Sequence, residues 1–83
     1  MDYKILVRLF VPEINDIYEL YIPVNKYVGE IVESFNKIVN DLSKVYPIRD
    51  NIRLCNRRTG EIYKRSASIR QTDIRNGTEL VLF

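Results

Sequence analysis

Cys55 is the residue in this sequence best suited to act as a nucleophile, because Arg53 and Arg57 lie two residues before and after it. Residues two apart on a strand share one face, and nearby guanidinium groups lower the pKa of a thiol and favour the nucleophilic thiolate. We favour the simpler interpretation, in which Cys55 is a small apolar residue on a strand. The sequence contains no histidine, so neither a Cys-His nor a Ser-His-Asp arrangement is available. We therefore predict that the protein is not an enzyme.

The sequence also contains no residue pattern typical of a metal or cofactor site. The carboxylates are scattered over turns and one face of a predicted helix, and a lone cysteine cannot supply a zinc cluster or an internal disulfide. Thr59-Gly60 and Asn76-Gly77 are isolated turn dipeptides without the several glycines of a phosphate-binding loop. We expect no metal and no cofactor.

The length and composition limit what the elements can build. Eighty-three residues predict one domain, residues 1–83, with a single core and no deep pocket. Arg8 interrupts the first apolar run, so no signal peptide is indicated, and no segment approaches the roughly 20 apolar residues that span a bilayer. Together with the single cysteine, these features predict a cytoplasmic protein without membrane insertion.

The periodicity of apolar residues predicts an α+β fold with the element order β-β-α-β-β-β. The helix should begin after Asn25 as N-cap, and Pro47 should end it by restricting Tyr46. Its apolar face should contain Val28, Ile31, Val32, Phe35, Ile38, Val39 and Leu42. The strands are predicted at residues 3–11, 17–22, 51–57, 61–64 and 78–83.

The order of the elements, the turn after Thr59-Gly60 and the apolar last strand together resemble ubiquitin over the whole chain. The segments YELYIPVNKYVGEIVES (18–34) and TDIRNGTELVLF (72–83) are similar to the YukD/EsaB family of tailless ubiquitin-like proteins, which are encoded with bacterial type VII secretion systems. The resemblance implies a β-grasp fold, a mixed sheet of about five strands packed on one helix. In that fold the last strand lies parallel to the first, between strands one and three.

The same resemblance implies a function without chemistry. It implies an accessory or regulatory component of the secretion machinery that acts by contact with other protein components. Ubiquitin-type modifiers carry a tail that ends in Gly-Gly, whereas this sequence ends at Phe83 with no glycine after Gly77. We therefore expect no conjugation to other proteins.

Strand alternation predicts which residues form the face of the sheet that the helix leaves uncovered. An apolar centre with an arginine rim is typical of a protein-binding surface, and ubiquitin relatives commonly bind through this face. We expect Leu6, Val81 and Cys55 to be neighbours there, with Arg8 and Arg53 around them. The predicted partner-binding residues are Leu6, Arg8, Phe10, Arg53, Cys55, Arg57, Val81 and Phe83.

Nucleic-acid binding is the alternative function. Residues 46–83 carry eight basic and four acidic side chains, although the net charge of the chain is only +2. Against this alternative, acidic residues interrupt the basic ones and no RNA-binding aromatic motif is present. The same charge could also meet an acidic partner or the anionic inner leaflet in a peripheral contact. The sequence does not determine the oligomeric state, and pairing through strand two stays open. The basic residues are Arg49, Arg53, Arg57, Arg58, Lys64, Arg65, Arg70 and Arg75.

Overall fold

The computed structural model describes residues 3–83 as a four-stranded sheet with one α-helix packed on one face. The strand order is β2-β1-β4-β3, in which β1 pairs antiparallel with β2 and parallel with β4, and β3 pairs antiparallel with β4. The predicted position of the last strand is therefore correct. The elements are β1 (Lys4–Val11), β2 (Asp16–Pro23), α1 (Val28–Leu42), β3 (Leu54–Asn56), a 3-10 helix (Ile69–Gln71) and β4 (Glu79–Leu82).

The first hairpin follows directly from the local sequence. Val7, Leu9 and Val11 alternate with partly exposed or exposed residues, so one face of β1 is buried and the other is not. The turn to β2 contains Asn15 at a positive φ of 53°, a backbone conformation that asparagine tolerates better than most residues. The turn is closed by the Ile14 N–H, which donates to the Val11 carbonyl at 3.2 Å.

The helix begins and ends at different residues from those predicted. Tyr27 is the N-cap, and its backbone N–H donates to the Glu30 carboxylate at 3.1 Å, so the assignment of Asn25 as N-cap is wrong. The helix ends at Leu42, several residues before Pro47. After Leu42 the chain leaves the helix axis and buries Tyr46 against the core.

The buried part of the apolar face of α1 is also shorter than the spacing of its apolar residues predicted. Ile38 is 37% exposed and Leu42 is 58% exposed, whereas Phe35 and Val39 are buried. Asn36 is buried instead, and its side chain binds the returning segment through the Arg49 backbone and the Tyr46 hydroxyl. The segment after the helix, which contains Tyr46 and Arg49, therefore covers the part of the core that the last helical turn was predicted to cover.

The sheet lacks the fifth strand that was predicted at residues 61–64. That segment makes a single bridge, between Ile62 and Cys55, in which the Asn56 N–H donates to the Glu61 carbonyl at 2.8 Å and the Tyr63 N–H donates to the Leu54 carbonyl at 3.0 Å. Tyr63 is buried, and its hydroxyl donates to the Asp73 carboxylate at 2.6 Å and accepts from the Asn56 amide at 3.1 Å. The side-chain bonds of Tyr63 add to the main-chain bonds that hold this segment beside β3.

The core lies between α1 and the covered face of the sheet. β4 contributes Leu80 and Leu82, which are buried between its neighbours β1 and β3 and beneath the helix. Both edges of β4 are hydrogen-bonded, since the Arg8 N–H donates to the Thr78 carbonyl on one side and the Arg57 N–H donates to the Glu79 carbonyl on the other. A short strand in this position is held on both sides by neighbouring strands.

Candidate protein-binding surface

The face of the sheet turned away from α1 carries its side chains in rows that run across the strands. We call it the open sheet face. The strand registers place Phe10 opposite Ile17 on β2 and opposite Val81 on β4, and Val81 opposite Cys55 on β3. The bridge from Cys55 extends this line to Ile62. The apolar row consists of Ile17, Phe10, Val81, Cys55 and Ile62.

The apolar row is accessible along its length. Its end members Ile17 and Ile62 are 44% and 50% exposed, while Phe10, Val81 and Cys55 between them are half-buried by their neighbours in the sheet. Adjacent strands lie about 4.8 Å apart, so five positions span roughly 19 Å. A continuous apolar line of this length is a suitable centre for a protein contact.

A charged row lies beside the apolar row, two residues along each strand. The Arg8 guanidinium lies 3.5 Å from the Glu79 carboxylate across β1 and β4, in a solvent-exposed ion pair. The Arg57 guanidinium lies 4.6 Å from the centre of the Phe10 ring and therefore covers part of the apolar row. The charged row consists of Glu19, Arg8, Glu79 and Arg57.

Leu6 lies outside the cluster in which the sequence placed it. It pairs with Tyr21 on β2, and its carbonyl accepts from the Gly77 N–H at 2.7 Å. Leu6 is four residues from Phe10, about 13 Å along the strand, so the expectation that it neighbours Val81 is wrong. The reason is the Asn76-Gly77 turn, which occupies the position beside Leu6 and delays the start of β4 until Glu79.

Arg53 and Phe83 close the other side of the apolar row. Each donates its backbone N–H to the carbonyl of the other, at 2.6 Å and 3.0 Å. The two side chains are exposed and lie just outside β3 and β4, two residues along the chain from Cys55 and Val81 respectively. Seven of the eight predicted residues therefore border or form the apolar row, and Leu6 is the exception.

The environment of Cys55 does not activate its thiol. Burial raises the pKa of the Cys55 thiol, although Arg53 and Arg57 are two residues away on either side. The Arg57 guanidinium is placed over Phe10. A protonated thiol is a poor nucleophile, and this agrees with the interpretation of Cys55 as a structural residue.

Several basic side chains in the C-terminal half have intramolecular partners. Arg49 pairs with Glu13 at 3.2 Å, and Arg65 pairs with Glu33 at 2.8 Å. Arg75 donates to two backbone carbonyls of its own loop. Over residues 3–83 the structure contains no group of three or more side chains suited to holding a metal ion. The α-helix in the same range does not have the length and apolar character needed to cross a bilayer.

Two residues of the apolar row were missing from the sequence-based prediction. Ile17 was assigned to β2 without a face, although the register of a hairpin with a short turn places it opposite Phe10. Ile62 was assigned to a separate strand, and only the bridge to Cys55 brings it to the end of the row. The position of Ile17 could have been predicted from the sequence, whereas that of Ile62 could not.

No known protein-family profile matches this sequence, and no curated protein matches it. Solved structures do match its fold. A chain of the ESX-5 inner membrane complex aligns with a TM-score of 0.82 and 17% identity, covering 96% of this chain and 20% of that one. The ubiquitin of Caldiarchaeum subterraneum aligns with a TM-score of 0.68 and 20% identity, covering 96% and 91% of the two chains. A chain of the toluene 4-monooxygenase HD complex with the inhibitor 4-bromobenzoate aligns with a TM-score of 0.77 and 13% identity, covering 96% of each chain.

These likenesses confirm the α+β, ubiquitin-like β-grasp fold, with four strands in place of the five expected.

Proposed function

We propose that this chain is a non-enzymatic protein-interaction module that serves as an accessory or regulatory component of a bacterial type VII secretion system. The observation that carries the proposal is the apolar row on the open sheet face, bordered by Arg8, Arg53 and Arg57. An exposed apolar line with an arginine rim has the composition of a protein-binding surface.

The secretion-system assignment has two supports. The segments 18–34 and 72–83 are similar to those of the YukD/EsaB family. The fold of this chain is also similar to part of a chain in the ESX-5 inner membrane complex. The partners would be other protein components of that machinery, at the cytoplasmic side, with at most a peripheral contact to the membrane.

Recovery of partners from the source bacterium tests the proposal. A tagged copy of the chain would be purified from cells after mild crosslinking, and the proteins bound to it would be identified by mass spectrometry. We expect secretion-machinery components to be recovered with the wild type and lost with Val81→Asp. Ile48→Asp is a matched control, because Ile48 is exposed and lies outside the apolar row. Recovery of the same components with Val81→Asp would contradict the role of the open sheet face, and their absence with the wild type would contradict the secretion-system assignment.

Nucleic-acid binding stays the alternative that the basic C-terminal half predicts. The ion pairs of Arg49 and Arg65 with Glu13 and Glu33 favour the protein-binding proposal, since paired arginines are less available to phosphates. A titration with generic RNA and DNA at low and moderate salt distinguishes the two. Negligible affinity at low salt would remove the alternative, and binding that weakens steeply with salt would support it.

A further inference from the structure

A pocket lies at the end of the sheet where β1 begins and β2 ends. It has a volume of about 230 Å³. Main-chain hydrogen bonds join the segments that form it, since the Val24 N–H donates to the Tyr3 carbonyl at 3.0 Å and the Val24 carbonyl accepts from the Arg70 N–H at 3.2 Å. The positions of its lining residues are therefore fixed by the backbone of the fold.

The floor of this pocket is apolar. Ile74 is buried, and Ile5 and Val24 are half-buried residues that pack against the core. The ring of Tyr3, which is 63% exposed, forms one wall. An apolar surface that stays open to solvent in a concave site gains free energy when it buries one apolar side chain of a ligand.

The charge in the pocket is positive and has no counterpart in the described part of the chain. Arg70 and Arg75 line the pocket, and no carboxylate of residues 3–83 lines it with them. Neither guanidinium forms an ion pair within that range, whereas Arg8, Arg49 and Arg65 each pair with a glutamate. A carboxylate on the ligand would supply the missing partner, because a guanidinium binds a carboxylate through charge-assisted hydrogen bonds.

Arg75 is already oriented for such a contact. Its Nη1 donates to the Thr72 carbonyl at 2.7 Å and to the Ile74 carbonyl at 2.8 Å. Its Nε and Nη2 have no hydrogen-bond partner within residues 3–83. A guanidinium that is held in place before binding loses less conformational entropy when it pairs with a carboxylate. Arg70 is exposed, and the hydrogen bond that it donates in the described range comes from its backbone.

We propose that this pocket binds an acidic segment of a partner protein, in which one apolar side chain enters the pocket and neighbouring carboxylates pair with Arg70 and Arg75. The site is separate from the open sheet face, because Ile5 and Val24 pack on the core side of the sheet. A nucleic acid is a poorer occupant. Its phosphates would pair with the arginines but would leave the apolar floor exposed.

A short synthetic peptide tests the proposal. The acetylated and amidated peptide GDDLDDG reads the same in both directions and has no terminal charge, so its side chains provide the carboxylates and the apolar group. NMR would follow the chemical shifts of the backbone amides as the peptide is added. We expect changes at Tyr3, Val24, Arg70 and Arg75, and none at Phe10 of the open sheet face. Unchanged shifts at the four pocket amides at the highest peptide concentration would overturn the proposal.

Two control peptides separate the charged contact from the apolar one. The peptide GNNLNNG keeps the leucine and replaces each carboxylate by an amide, and the peptide GDDADDG keeps the carboxylates and shortens the leucine to alanine. Each should bind about 3- to 10-fold more weakly than GDDLDDG. Equal affinity of either control peptide would show that one of the two contacts is not made, and the proposal would be wrong.

A variant of Arg70 tests the role of the protein side chain without disturbing the fold, because that side chain has no hydrogen bond within residues 3–83. Arg70→Gln should weaken binding of GDDLDDG about 3- to 10-fold. Arg58→Gln is the matched control, since it makes the same change in net charge at an exposed arginine outside the pocket and should leave the affinity within about twofold. An equal loss in both variants would show that net charge alone drives binding and would overturn the proposal.

A generic RNA oligonucleotide provides the last comparison. We expect it to leave the amides of Val24 and Arg75 unchanged at concentrations at which the acidic peptide shifts them. If the RNA shifts these amides at lower concentrations than the peptide does, the arginines belong to a nucleic-acid site and the proposal is wrong.

Discussion

Phe10 and Val81 are register partners on the parallel strands β1 and β4, and together they form the middle of the apolar row. The two residues come from opposite ends of the chain, so the surface exists only when the last strand is inserted between β1 and β3. Folding and surface formation are therefore coupled at β4.

Aspartate should destabilise the fold far more at one of two neighbouring positions on β4 than at the other. Val81→Asp places the charge on the open sheet face and should cost about 1–2 kcal/mol, mainly through lost strand propensity and apolar contact. Leu80→Asp buries an unpaired carboxylate at a position with no exposed surface and should prevent folding. Urea unfolding followed by circular dichroism measures both. Similar behaviour of the two variants would show that the assignment of faces on β4 is wrong.

Asn36 should be important for stability because it holds the segment that follows the helix. Its amide donates to the Arg49 carbonyl at 2.8 Å, and its side-chain oxygen accepts from the Tyr46 hydroxyl and the Arg49 N–H, each at 3.2 Å. Asn36→Ala leaves these groups without their partner and should lower the free energy of unfolding by roughly 2–4 kcal/mol. Lys37→Ala is the matched control on the exposed side of the helix and should change it by less than about 0.5 kcal/mol. Equal effects of the two variants would contradict this role of Asn36.

Tyr63 should make stability fall at alkaline pH. Burial, and then the hydrogen bond that its hydroxyl donates to Asp73, raise the pKa of Tyr63 well above the ordinary tyrosine value of 10.0. A group whose pKa is raised in the folded state contributes stability that is complete below the unfolded-state pKa and is lost as pH rises toward the folded-state pKa.

The wild type should therefore be more stable than Tyr63→Phe at pH 7–9, by about 1–2 kcal/mol, and the difference should shrink above pH 10. Urea unfolding of both proteins at a series of pH values measures this difference, and the subtraction removes the contribution of the other tyrosines and the lysines. A difference that stays constant up to pH 11.5 would contradict the environment assigned to Tyr63.

The Cys55 thiol should react slowly with iodoacetamide near neutral pH. Burial raises its pKa above the ordinary value of 9.0, so the thiolate fraction is small at pH 7.5 and the rate should still be rising beyond pH 9. Arg53→Ala should leave this pH profile almost unchanged, because desolvation rather than the arginine sets it. A plateau below pH 8 in the wild type, lost in Arg53→Ala, would instead show an activated cysteine.

Sequence reasoning succeeded where the local pattern and the final packing agree. Val7, Leu9 and Val11 alternate in β1, and Val28, Val32 and Phe35 repeat at helical spacing in α1, and all six are buried. It failed where side chains from distant segments compete for one place. Tyr46 and Asn36 hold the segment after the helix against the core, and residues 61–64 make one bridge to β3 in place of a full strand.

Part of the candidate surface could be predicted from the sequence, because strand alternation is also a local pattern. Alternation assigned Arg8, Phe10, Cys55 and Val81 to one face of their strands, since a period of two needs no knowledge of neighbours. The register between their strands was not available. The Asn76-Gly77 turn beside Leu6 fixes where β4 starts, and it moves the partner of Val81 from Leu6 to Phe10.

By itself, then, the sequence determined the type and order of the first four elements and of the last strand, and the face on which most side chains lie, because hydrophobic periodicity is a local property of the chain. Only the tertiary structure decided the register of β4, the reduction of the fifth strand to a single bridge and the place of Leu6 outside the apolar row. Register depends on main-chain hydrogen bonds between segments far apart in the chain, and a shift of a few residues along a strand changes which side chains meet.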